Sequence, residues 1–119
     1  MRKQILVVDD DPLYHDLVRD VFDAQEIDVF AASDGSAALF LLRTHNPSLI
    51  ISDFDMPGMN GMEFHSHLLK DRKTEHIPFV FMTGSSDESL SQYTKRYGLR
   101  LFDKSNLVGE LMRLSDDLR

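Results

Sequence analysis

Apolar runs that end abruptly in acidic or hydroxyl residues constrain this chain most. Ile5-Leu6-Val7-Val8 runs into Asp9-Asp10-Asp11, Leu49-Ile50-Ile51 runs into Ser52, Asp53 and Asp55, and the VFMTGSS and LFDK stretches follow later. Short apolar runs of this kind read as parallel strands buried on both faces, alternating with helices. In an open α/β sheet, chemistry collects beyond the carboxyl ends of the strands. Carboxylates from two strand ends are therefore expected to share one small pocket. Two bare carboxylates ~4 Å apart repel by about 1–4 kcal/mol, depending on the local dielectric. Such a cluster needs a cation, and oxygen-only ligands favour Mg²⁺ or a similar hard ion.

Composition narrows the function classes. A chain of 119 residues is expected to form one domain. The net charge of −7 argues against nucleic acid as a direct partner, because phosphate contacts need clustered Lys and Arg. Cysteine is absent, which removes disulfides, zinc–thiolate sites and a catalytic thiol. No apolar run approaches a membrane span, and the start turns acidic too early for a signal peptide. A cytoplasmic protein is the expectation.

Along the chain, strand and helix patterns alternate. Lys3 to Val8 reads as the first strand, and Asp11-Pro12 as an N-cap with proline at the first helical position, opening a helix through about Gln25. Asp28 to Ala32 is the second strand, and a helix follows from Ser33-Asp34. Ser48 to Ser52 is the third strand, and Met56 to Gly61 is turn chemistry before a helix from Met62 to Lys70. Ile77 to Met82, Asp87 to Tyr97, Leu99 to Phe102 and Asn106 to about Asp117 complete five strand–helix units. His15, His45, His65, His67 and His76 are scattered and suggest no metal site.

ILVVDDDP, IISDFDMPGMNG, FVFMTGSS and the lysine of FDKS together resemble the receiver domain of two-component response regulators. The resemblance spans essentially the whole chain, and the stretch from Asp53 to Gly61 is its most specific part. It implies a (βα)₅ doubly wound parallel sheet of the flavodoxin-like type, with strand order 2-1-3-4-5. It also implies roles. Asp53 matches the phosphoacceptor, and Asp9 and Asp10 match the acidic pair that holds Mg²⁺. Asp55 sits where the family offers its backbone carbonyl to the metal. Thr83 matches the hydroxyl, and Lys104 the cation, that meet phosphoryl oxygens. The implied partners are a sensor histidine kinase or histidine phosphotransfer protein and a downstream protein target or effector. The implied activity is self-phosphorylation and slow self-dephosphorylation only. No effector domain is expected within the chain.

Two departures from the family stand out. Ser105 replaces the proline that normally follows the lysine across a cis peptide, so a trans Lys104–Ser105 bond is expected and the aim of the lysine is left open. Leu101 stands where a switching Tyr or Phe is usual, with Phe102 beside it, and the segment from Gly98 to Lys104 is about one residue short. Either Phe102 takes over through a changed register, or aromatic rotation is not the signal; the second is the expectation. Two other functions fit parts of the pattern. One is a degenerate receiver acting as a phosphorylation-independent interaction module. The other is a small phosphatase, because Asp53-Phe54-Asp55 also resembles the DxD nucleophile motif of haloacid-dehalogenase-type enzymes.

Overall fold

Neighbouring residues of the first strand, β1 (Gln4–Val8), bury into opposite cores, which makes the fold a three-layered one. Ile5 and Val7 pack with Val18, Phe22, Phe102, Leu107 and Leu111 on one face. Leu6 and Val8 pack with Ala38, Leu42, Phe64, Leu68 and Leu90 on the other. A period-two strand with four successive buried apolar side chains, Ile5 to Val8, can be satisfied only between two layers of helices. The computed structural model describes residues 3–84 and 87–118, so the Ser85-Ser86 end of the FVFMTGSS motif lies outside the described residues.

The helices and strands follow in strict alternation: α1 (Pro12–Asp23), β2 (Asp28–Ala32), α2 (Gly35–Leu41), β3 (Leu49–Asp53), α3 (Gly61–Leu69), β4 (Phe79–Thr83), α4 (Glu88–Tyr97), β5 (Arg100–Asp103) and α5 (Leu107–Asp117). The sheet is parallel throughout, in the order β2-β1-β3-β4-β5, as expected. From β1 the chain moves outward to β2, then returns across β1 to build β3, β4 and β5. This reversal places the topological switch point between the ends of β1 and β3, where Asp9 and Asp53 stand.

Local chemistry explains the element ends. Asp11 caps α1, accepting the Leu13 N–H at 3.0 Å, with Pro12 behind it. The helix stops at Asp23 rather than Gln25, because Glu26 adopts a left-handed φ of 58° that turns the chain toward β2. Asn60 and Glu63 form a reciprocal capping box, so α3 begins at Gly61, one residue before the expected Met62. The last three strands each run one residue past their expected ends, into Asp53, Thr83 and Asp103. Backbone pairing continues there (Asp53 opposite Met82, Thr83 opposite Asp103) after the apolar run has stopped. Among the described residues, no helix is long and apolar enough to cross a membrane.

Candidate functional site

Asp9, Asp10 and Asp53 converge at the switch point, each offering a carboxylate oxygen within 4.8 Å of the others. Asp9 and Asp53 are buried, while Asp10 is exposed at the mouth. Asp9 is oriented from two sides. Its Oδ1 accepts the Asp11 N–H at 2.9 Å, and the buried ring of His15 donates from Nε2 to its carbonyl at 2.7 Å. Its Oδ2 takes no aligned hydrogen bond and is met by the Lys104 ammonium at 2.8 Å. The pKa of Asp53 is pushed up to about 6, chiefly by burial and then by the Asp9 charge, with Lys104 pulling it back. An all-oxygen donor set with an under-coordinated buried oxygen fits a hard divalent cation.

Lys104 reaches this pocket without the family's proline. Its Nζ lies 2.8 Å from Asp9 Oδ2 and 3.3 Å from Asp53 Oδ1, with only 13% of the side chain exposed. The described residues contain no cis peptide, so Lys104–Ser105 is trans. The turn is instead held by Asp103, whose Oδ1 accepts the Ser105 N–H at 2.9 Å and opens a 3₁₀ turn over Lys104–Asn106. Proline has no N–H to give such a cap. Burial disfavours the Lys104 ammonium, but the Asp9 carboxylate against it and the Asp53 charge outweigh that cost and hold its pKa above the ordinary value. The Nζ also lies 3.9 Å from the centroid of the Tyr14 ring.

The other expected residues are placed less tightly. Thr83 closes β4, buried, one position beyond the partner of Asp53 in the ladder. Asp55 is exposed and stands outside the carboxylate cluster. The loop between β3 and α3, which carries Asp55, is pinned where Gly61 donates its N–H to the Phe54 carbonyl at 2.7 Å. A Cβ at Gly61 would lie 2.7 Å from the Asp53 carbonyl oxygen and 3.0 Å from the Phe54 Cα, so the motif's last glycine lets the loop close against β3.

Register settles the position of Phe102. Leu101 pairs with Phe81 and is 37% exposed, whereas Phe102 is buried in the core beneath α1 and α5. Phe102 has therefore not taken over the switch position. The α3–α4 side instead holds an aromatic cluster of Phe79, Phe81, Tyr93 and Tyr97 around His65. His65 Nδ1 lies 2.6 Å from the Tyr93 hydroxyl, joining α3 to α4. Sequence spacing gave no sign of it, because the partners lie 28 residues apart. His67, two positions on, is exposed.

Burial holds the His65 pKa below its usual 6.5. In the unfolded chain it titrates near that usual value, so below about pH 6.5 the unfolded state binds more protons than the folded one. The stabilising contribution of neutral His65 is complete above that pH and is lost as pH falls through the folded pKa. Compared with His65→Phe, the wild-type urea midpoint measured from pH 7.5 to 5 is expected to lose ground below pH 6.5, because groups such as Asp53 contribute equally to both proteins and cancel in the difference. An unchanged slope in the variant would assign the pH dependence to another group.

Residues 5–105 match the family described as response regulator receiver domain. Similarity extends to the polar-differentiation response regulator DivK of Brucella ovis, 34% identical over 83 residues, covering 70% of this chain and 68% of DivK. Among solved structures, the chemotaxis response regulator CheY4 of Vibrio cholerae superposes with a TM-score of 0.78 at 25% identity, covering 95% of this chain and 98% of CheY4. A response regulator receiver protein from Pseudomonas putida gives 0.88 at 20% identity, covering 98% of each chain. With the fold, the switch-point carboxylates and 101 matched positions (5 through 105) in agreement, the chain belongs to the response regulator receiver domain family.

Proposed function

We propose that this domain is a phosphorelay receiver: Asp53 accepts a phosphoryl group from a histidine kinase or histidine phosphotransfer protein. A carboxylate oxygen of Asp53 attacks the phosphorus, the P–N bond of the phosphohistidine breaks, and the leaving imidazole takes a proton. The product is an aspartyl phosphate. Asp9, Asp10, Asp53 and the backbone carbonyl of Asp55 would hold Mg²⁺, which supplies charge neutralisation when bound. In this reading Lys104 pairs with one phosphoryl oxygen, the Thr83 hydroxyl donates to another, and a backbone N–H near Gly84 would meet the third. The observation that carries this reading is the meeting of Asp9, Asp10 and Asp53 in one pocket with Lys104.

The modified residue then biases contacts with a downstream protein. With Leu101 at the usual aromatic position, the bias runs through Thr83 and β4 to Phe81, which contacts both Tyr93 and His65 at the α3–α4 junction. Couplings of this kind are typically about 1–3 kcal/mol, enough to shift a two-state population.

Titration with beryllofluoride, a phosphoryl mimic, tests the acceptor role against a phosphorylation-independent module. In the presence of Mg²⁺ the mimic is expected to perturb backbone amide resonances around Asp53, Thr83 and Lys104. A pocket that binds Mg²⁺ but never the mimic would favour the degenerate module. Turnover of p-nitrophenyl phosphate would favour the phosphatase.

A further inference from the structure

Nothing in the sequence motifs singles out Tyr14, yet its ring forms one wall around the pocket lysine, Lys104. It projects from the first turn of α1, half-buried against the core shared by α1 and α5. The Lys104 ammonium lies 3.9 Å from its ring centroid, 2.8 Å from Asp9 Oδ2 and 3.3 Å from Asp53 Oδ1. A cation is attracted to the face of an aromatic ring, most strongly where water is excluded. The lysine backbone follows a trans turn closed by Asp103, so its long side chain must be aimed by what it touches. The two carboxylates alone cannot fix that aim, because both are also metal-site residues whose charge is shared once a cation or phosphoryl group enters. Tyr14 carries no formal charge and keeps its contact through such a change.

We propose that Tyr14 is a positioning residue for Lys104, its ring face holding the ammonium toward the phosphoryl site in place of the missing cis-proline turn. The functional consequence rests on the phosphoacceptor reading above; the contact itself does not. In Tyr14→Leu, which keeps apolar volume against α1, beryllofluoride affinity is expected to fall roughly tenfold while Mg²⁺ affinity changes less than about twofold. Tyr14→Phe retains the ring and should restore mimic binding to within about twofold of wild type. In a Lys104→Ala background, Tyr14→Leu should have no further effect, because the group it positions is gone.

The Lys104 side-chain methylene protons next to the ammonium supply a readout independent of phosphoryl chemistry. They should be shifted upfield by the ring in wild type and Tyr14→Phe, and return to ordinary lysine values in Tyr14→Leu. Tyr14-dependent shifts together with lost mimic affinity support the proposal. Mimic binding that is unchanged in Tyr14→Leu, or equally reduced with and without Lys104, overturns it. If wild type binds no mimic although the ring shift is present, the phosphoacceptor reading fails and the positioning contact stands. If the ring shift is absent from wild type, the positioning contact itself is refuted.

Discussion

Asp53→Asn is expected to lose phosphorylation by at least about a thousandfold, the scale seen when a nucleophile is removed, and at the same time to fold more stably in the metal-free state. The first effect follows because a neutral amide cannot supply the attacking oxygen. The second follows from the electrostatics of the apo pocket. Burial, then the neighbouring Asp9 charge, raises the Asp53 pKa from 3.8 to about 6. Between those two values the folded state binds more protons than the unfolded chain, so stability falls as pH rises through that window. Above pH 6 the whole cost is present, and removing the charge recovers it. The expected gain at pH 7 is about 1–3 kcal/mol, read as a higher urea midpoint without Mg²⁺. The gain should vanish near pH 4, where the native carboxyl is already protonated. Saturating Mg²⁺ should narrow or reverse it, because the wild-type carboxylate then gains a cation that Asn holds poorly. A variant no more stable than wild type at pH 7 would show that Asp53 is not strained in the apo pocket.

Lys104→Ala is the second large perturbation, with the opposite sign for stability. It leaves the buried Asp9 and Asp53 carboxylates without the ammonium that lies 2.8 and 3.3 Å from them. Removing one partner of a buried ion pair costs about 3 kcal/mol or more, because an uncompensated charge remains. Thermal unfolding of the metal-free variant should therefore begin well below wild type. Mg²⁺ should restore most of that loss, and the variant should bind Mg²⁺ more tightly than wild type, since a competing positive charge has gone. Phosphoryl transfer should still be slow, because the equatorial oxygens lose a donor that the metal does not replace. Equal Mg²⁺ affinity in both proteins would show that the lysine does not share the carboxylates with the cation.

Much of this was legible because buried parallel strands are written as apolar runs. ILVV and FVFM declare β1 and β4 outright, and the order of five units follows from alternation. The strand ends were harder to place. Polarity suggested that β3, β4 and β5 stop at Ser52, Met82 and Phe102, but a ladder bond is made by the backbone and does not register side-chain charge. Asp53, Thr83 and Asp103 are therefore held by the sheet itself, which places the first two more rigidly than loop residues would be. The convergence of Asp9, Asp10 and Asp53 was expected from acidic residues at the carboxyl ends of two apolar runs, and the strand order implied by the resemblance set those ends side by side.

What remained hidden depends on pairs distant in sequence. Without proline, the aim of Lys104 could not be read from FDKS; its surroundings are the Asp103 cap next door and the ring of Tyr14, close in space but far away in sequence. His65 looked like one of several scattered histidines until α3 and α4 brought it against Tyr93. The Leu101 substitution marked a changed switch region without saying what replaced it. The aromatic cluster around His65 supplies the packing there, and its polar link ties α4 to the layer beside β4.

The central claim is that Asp53 carries the phosphoryl group. Incubating the protein with acetyl phosphate and Mg²⁺, then mapping modified peptides by mass spectrometry under mild conditions, addresses it directly. One phosphoryl group on the peptide containing Asp53, absent without Mg²⁺, is the expected result. Modification at any other residue, or none while Mg²⁺ demonstrably binds, would contradict the account.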